Sequence, residues 1–296
     1  MDRQKTEHEQ VKLTTQWALI GIPDHEGVLH VGGRLGASGG PRAVRKVMQR
    51  FSGEIDVRAK LHDLGDCGPF LPDVEHNLAI AAAQVRVAQS NHPITVVVGG
   101  SHEHGYSQLH GVSQALPGAR IGCINIDAHL DVRKPAPTIT SGSPFFLALE
   151  RNVIAPQNLI QFGIQSQANS PALFSYCREK GVQIIEFREL RENAVARFKT
   201  ILHSLASRCD ALVISLDLDA LSEDNCPGVS APQAEGFSAR ELMAMLEAAG
   251  ETPQTRSLGI FELNPLHDVG DRTARLAATA IYRFVSRALA RELPVQ

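Results

Sequence analysis

Residues 211–219 read Ala-Leu-Val-Ile-Ser-Leu-Asp-Leu-Asp. A nearly all-apolar run suits a strand of a parallel sheet buried on both faces. It ends abruptly in two carboxylates. Extended backbone has a side-chain period of two, so Asp217 and Asp219 can project from one face of the strand end. The same grammar recurs outward along the chain. Ile-Thr-Val-Val-Val at 94–98 leads through Gly-Gly-Ser to His102. The run at 120–126 is followed by Asp-Ala-His-Leu-Asp, placing Asp127, His129 and Asp131 in alternation, and Glu262 follows the run at 256–261. Four strands thus deliver polar residues to one edge of a sheet, where ligands of open α/β folds bind.

The rest of the chain completes an α/β pattern. Strands are expected at 17–22, 57–61, 94–98, 120–126, 158–163, 182–187, 211–216 and 256–261. Helical patterns open at Pro41 and cover 74–89, 104–116, 171–180, 192–208, 238–249 and 272–291. Ser238 with Glu241 is a capping-box pair. Strand–helix alternation implies a mostly parallel sheet with helices on both faces. Residues 1–15 read as a polar extension and 16–296 as one domain. The glycine-rich stretch 32–40 lacks the Lys-Ser/Thr ending of a phosphate loop and is expected to be a flexible lead into the Pro41 helix.

Composition excludes several classes. Of 296 residues, 43% are hydrophobic and 21% charged, with formal net charge −3, which is ordinary for a globular protein and offers nothing to nucleic acid or an anionic membrane. Five cysteines without a Cys-x-x-Cys pair argue against a disulfide framework or a zinc ribbon. The charged N-terminal residues show no apolar signal core, and no stretch is long and apolar enough to span a bilayer, so a cytoplasmic location is expected.

Asp127, Asp131, Asp217 and Asp219 concentrate four negative charges with His102 and His129 at one site. Unneutralised, they would repel strongly. Two divalent cations balance them. Oxygen-rich ligation with some imidazole suits Mn²⁺, with Fe, Co or Zn as the alternatives. Paired ions about 3.5–4 Å apart hold and acidify water. A lone His after Gly-Gly is commonly a plain loop residue, and strand-end Asp residues are commonly just solvated. One physical cause nevertheless accounts for all three clusters together. Glu103 and His104 read as supporting residues or helix surface; His25, His30, His62, His110, His203 and His267 read as structural or exposed.

The stretches GGSHE, NIDAHLDVR, SLDLDALSEDNCPGVSAP and FELNP resemble the arginase-type ureohydrolase superfamily. Within it the chain is most similar to the formimidoylglutamases, on SGSPF at 141–145, QFGIQSQANSPALF at 161–174, CPGVSAP at 226–232 and the final ELNPLHDVGDRTARLAA. The resemblance implies a three-layer α/β/α sandwich around eight strands, a homo-oligomer and two Mn²⁺ ions. One ion would be held by His102, Asp127, Asp131 and Asp217, the other by Asp127, His129, Asp217 and Asp219, with Asp127 and Asp217 bridging. It further implies hydrolysis of N-formimino-L-glutamate to L-glutamate and formamide, a step of histidine degradation. Asp131 would accept and relay the proton, and Glu262 would pair with the cationic nitrogen.

Arginases and agmatinases carry a His-Gly pair in the loop after Asp-x-His-x-Asp; here the loop is Thr140-Ser141-Gly142-Ser143-Pro144-Phe145. That favours an amidine substrate over a guanidine one. Ser101 replaces the usual Asp or Gly and is placed to hydrogen-bond the ligand set. Arg133 suits one carboxylate of a diacid substrate, the bland alternative being a structural ion pair, and Ser141 is a further candidate contact. The alternatives are a urea-releasing ureohydrolase acting on a guanidino compound and a non-catalytic metal-binding regulator.

Overall fold

Apolar side chains that alternate along each central strand feed two separate cores. Trp17 and Leu19 enter one core, and Ala18, Ile20 and Ile22 the other; Leu212, Ile214 and Leu216 divide from Ala211 and Val213 in the same way. The computed structural model describes residues 17–53, 55–190 and 192–291. The expected extension at 1–15 lies outside them. In chain order the strands are β1 (Trp17–Ile22), β2 (Leu61–Asp66), β3 (Ile94–Gly99), β4 (Ile121–Ile126), β5 (Leu159–Ile164), β6 (Gln183–Glu186), β7 (Ala211–Asp217) and β8 (Thr255–Phe261). They form an eight-stranded sheet in the order β2-β1-β3-β8-β7-β4-β5-β6, and every neighbouring pair is parallel.

The helices are α1 (Glu26–His30), α2 (Gly40–Met48), α3 (Val74–Asn91), α4 (His104–Ala115), α5 (Pro144–Glu150), α6 (Pro171–Lys180), α7 (Ala194–Ala206), α8 (Ala239–Glu251) and α9 (Arg272–Ala290). Val44, Phe198, Met245 and Phe284 bring α2, α7, α8 and α9 to the first core. Leu78, Leu109, Phe145 and Phe174 bring α3, α4, α5 and α6 to the second. The result is the three-layer sandwich. No helix among the described residues is long and apolar enough to cross a membrane. The Ser238–Glu241 capping box forms as expected at the start of α8.

One strand differs from expectation. Residues 57–61 do not form it: Val57–Lys60 is a 3-10 turn, and the strand begins at Leu61. The Asp56 carboxylate accepts hydrogen bonds from the amides of Arg58 and Ala59, which caps the turn. The real strand, Leu-His-Asp-Leu-Gly-Asp, is a partly exposed edge and carries little apolar signal. The short helices α1 and α5 were not expected either.

Strand register levels the site. Ile126 pairs with Leu216, Asp217 with Phe261, and Val98 with Ile260. The carboxyl ends of β4, β7, β8 and β3, four adjacent strands at the centre of the sheet, therefore open onto one crevice.

Candidate metal centre and active site

The crevice is a pocket of about 250 Å³ whose lining includes His102, His129, Asp131, Asp217, Asp219 and Glu262. His102 is fully buried at the start of the turn into α4. Its Nδ1 lies 3.0 Å from Asp131 Oδ2 and 3.2 Å from both Asp127 Oδ2 and Asp217 Oδ2. A single imidazole N–H cannot serve three acceptors, and this Nδ1 makes no hydrogen bond of proper geometry. Its Nε2 is within 2.9 Å of Ser215 Oγ, so Nδ1 is left to face the carboxylates. Phe261 stacks on the imidazole at 5.0 Å between ring centroids and Phe145 meets it edge-on at 5.7 Å. Pro144 at the first turn of α5 explains how the Ser-Gly-Ser-Pro-Phe loop brings Phe145 there.

His129 forms a second focus. Its Nδ1 is 3.0 Å from Asp219 Oδ2 and 3.5 Å from Asp127 Oδ1. Two groups of convergent donor atoms result: His102, Asp127, Asp131 and Asp217 in one, Asp127, His129 and Asp219 in the other. Asp127 belongs to both. Asp217 is grouped with the first; its Oδ1 accepts from the amide of Asp219 at 2.8 Å, as Asp127 Oδ1 accepts from the amide of His129 at 2.6 Å. Buried donor atoms that converge without pairing, Asp219 Oδ1 among them, fit hard divalent cations.

The electrostatics agree. Burial alone would lower the basicity of His102; the carboxylates of Asp127, Asp131 and Asp217 overcome it and raise its pKa well above the ordinary value. His129 is raised in the same way, by Asp219 and Asp127 against the cost of burial. Burial, then the charge of Asp127, pushes Asp217 up to about 6. Asp219 and Glu262 rise well above the carboxylate range, both through burial and then the charge of Asp217. A site that resists its own ionisation in this way is built to receive positive charge.

Two further residues stand in left-handed backbone conformations. Asp131 has φ 48° and Glu262 φ 66°, uncommon for side chains of this kind. Glu262 is fixed between its amide, which donates to the Gly100 carbonyl at 2.7 Å, and its Oε1, which accepts from the His102 amide at 2.9 Å. Its Oε2 is buried with no hydrogen-bond partner among the described residues. Arg133 is exposed at the pocket rim; its amide donates to the Gly142 carbonyl, and its guanidinium has no ion pair among the described residues. A Cβ on Gly142 would meet Arg133 Cδ at 3.0 Å, so the glycine makes room for this side chain. Ser141 also lines the pocket, its amide held by the Gly27 carbonyl.

Residues 15–286 match the arginase family. A formimidoylglutamase of Geobacillus thermodenitrificans is 35% identical over 266 residues, which span 88% of this chain and 81% of that protein. The chain belongs to the arginase family. In three dimensions this arginase-family chain is similar to Trypanosoma cruzi formiminoglutamase crystallised with Mn²⁺, at a TM-score of 0.85 and 28% identity, covering 99% of this chain and 97% of the other. Formimidoylglutamase from Bacillus subtilis also matches, at a TM-score of 0.85 and 26% identity, over 95% and 89% of the two chains.

Within this arginase-family site the surroundings differ from expectation at Ser101 and decide between two readings at Glu103 and His104. Ser101 does not touch the convergent set; its hydroxyl donates to Glu103 Oε1 at 2.7 Å. Glu103 and His104 are not helix surface but fully buried. Glu103 Oε1 accepts from the Gly27 amide at 2.9 Å, and His104 Nε2 meets Asp24 Oδ2 at 2.9 Å. Sequence reading missed Ser215 and Asn125. Asn125 Nδ2 donates to Asp127 Oδ2 at 3.1 Å and to Gln161 Oε1 at 2.9 Å. Each is a polar residue two positions before an aspartate, in an otherwise apolar strand, which is the signal that identifies it. Ser215→Ala is expected to weaken divalent-cation binding by roughly 10–100-fold, measured by titration of Mn²⁺ into chelator-stripped protein; an unchanged affinity would show that Ser215 does not orient His102.

Proposed function

We propose that residues 16–296 form one catalytic unit that hydrolyses N-formimino-L-glutamate to L-glutamate and formamide, with two divalent cations, Mn²⁺ foremost. The arginase-family formimidoylglutamase relatives support the reaction class. The observation that carries it is Glu262 Oε2, a buried acceptor that has no partner among the described residues and shares a pocket with side chains of both convergent donor groups and with Arg133, which has no ion pair among those residues. His102, Asp127, Asp131 and Asp217 would hold one cation; Asp127, His129 and Asp219, with Asp217 as a second shared carboxylate, would hold the other. When bound, such a pair lowers the pKa of water and supplies a nucleophile at neutral pH. An enzyme of this kind working on a breakdown product of histidine belongs in the cytoplasm.

Glu262 would accept a charge-assisted hydrogen bond from the protonated formimino nitrogen and so fix the carbon beside Asp131. As the water oxygen bonds to that carbon, Asp131 takes its proton and returns it to the glutamate nitrogen, whose bond to the carbon breaks. The substrate's carboxylates need a cation in an otherwise acidic pocket, and Arg133 offers a planar fork of donors. Arg133→Ala is expected to raise KM for formiminoglutamate by at least about tenfold with both metals retained; an unchanged KM would remove Arg133 from the pocket's function. The reaction itself is tested by supplying the Mn²⁺-loaded protein with formiminoglutamate, arginine, agmatine and guanidinobutyrate separately. Turnover of the first alone is expected. Urea from any of the other three overturns the assignment.

A further inference from the structure

The glycine-rich stretch 32–40 has no part in this chemistry, yet Gly33 lines the pocket. Next to it, Arg34 is partly buried and spends its guanidinium on backbone. Its Nε donates to the Ser230 carbonyl at 3.1 Å, and its Nη2 donates to the Val229 carbonyl. Those carbonyls lie in the Cys-Pro-Gly-Val-Ser-Ala-Pro stretch at 226–232, which contains no helix or strand. Ser230 and Ala231 face the pocket. A second brace crosses the same junction. Buried Asn264 donates through Nδ2 to the carbonyls of Arg34 at 2.8 Å and Leu35 at 3.1 Å, and its amide donates to the Gly228 carbonyl at 2.7 Å.

The position of Ser230 therefore depends on side-chain braces, since no strand ladder or helix carries it. Contact is close: a Cβ on Gly33 would fall 2.7 Å from Ser230 Oγ. The Ser230 hydroxyl itself makes no hydrogen bond among the described residues, and it lines the pocket that holds Glu262 and Arg133. An arginine fork suits two successive carbonyls in a way that a lysine ammonium does not.

We propose that Arg34 is a positioning residue for substrate binding: by gripping the Val229 and Ser230 carbonyls it sets the Ser230 hydroxyl where it donates to the carboxylate-bearing part of the substrate. This rests on the pocket being the substrate site of the proposed hydrolase. It extends that reading from the reacting centre, held by Glu262, to the wall that receives the rest of the molecule. Small displacements of such a wall are costly to binding, because the bound geometry is set within a fraction of an ångström.

The test compares Arg34→Met, which keeps the stem and loses the fork, with Arg34→Lys and Ser230→Ala, all in the Mn²⁺-loaded full chain. In Arg34→Met, KM is expected to rise about tenfold with kcat within threefold of wild type and metal content unchanged. Amide hydrogen exchange in peptides spanning 226–232 is expected to accelerate. Arg34→Lys should fall between wild type and Arg34→Met, and Ser230→Ala should raise KM with no change in exchange. If Arg34→Met does not fold, the same comparison is made with Arg34→Lys. Unchanged KM and exchange in the folded variant, or a fall in kcat and metal content at constant KM, overturns the proposal. Hydrogen exchange reads the brace without turnover. If the wild-type protein proved to act on a guanidino compound instead, the substrate reading would fail while the exchange result still judged the brace.

Discussion

Asp127→Asn is expected to lower kcat/KM for formiminoglutamate by about 10⁴-fold, roughly 5.5 kcal/mol of barrier, and to leave less than one tightly held Mn²⁺ per chain. Asp127 is the one carboxylate that belongs to both convergent groups. Its Oδ2 faces His102 Nδ1 and its Oδ1 faces His129 Nδ1. The amide keeps the size but replaces one charged oxygen with a donor, which cannot ligate and would point at an imidazole. Asp219→Asn gives the contrast, since Asp219 belongs to one group only. It should cost one metal equivalent and leave the His102 group filled. Metal analysis of the two purified variants reads the difference. Two tightly bound ions in Asp127→Asn would contradict a shared ligand.

Removing the cations with a chelator is expected to destabilise the protein more at pH 8 than at pH 5. In the metal-free protein Asp217 titrates near 6, against an ordinary value of 3.8, and Asp219 and Glu262 are raised further. A carboxyl whose folded pKa is raised contributes stability that is fully present below its unfolded pKa and is lost as pH rises through the folded one. His102 and His129 are raised as well, and their contributions are likewise lost as pH climbs through their folded values. Asp127 is lowered by the two imidazoles despite its burial and works in the opposite sense, so it gives stability above its unfolded pKa. The raised groups outnumber it. Cation binding needs the ligands deprotonated and so strengthens over the same range. The melting temperature with Mn²⁺ should therefore exceed that with chelator by on the order of 10 °C at pH 8 and by far less at pH 5. An equal gap at both values would mean that these carboxyls do not repel one another in the metal-free protein.

The central sheet and the convergent groups were legible in the sequence for one reason. A doubly buried strand is apolar throughout, so an Asp or His at its end stands out, and the period of two assigns its face. That grammar located β3, β4, β7 and β8 and every residue of the two convergent groups. It failed at β2, whose exposed edge residues carry no such contrast while the preceding turn does. Glu103 and His104 stayed open between supporting residues and helix surface because their burial comes from packing against Gly27 and Asp24, far away in the chain. The φ values of Asp131 and Glu262 and the brace through Arg34 have no local signature at all. The brace exists only once the 226–232 stretch and Asn264, just past β8, have met the glycine-rich loop.

The most direct measurement is the product balance from N-formimino-L-glutamate labelled with ¹³C at the formimino carbon, followed by NMR with the Mn²⁺-loaded protein. The predicted result is one labelled formamide and one L-glutamate per substrate consumed, abolished by chelation. Labelled N-formylglutamate with ammonia, or turnover that survives removal of the metals, would contradict it.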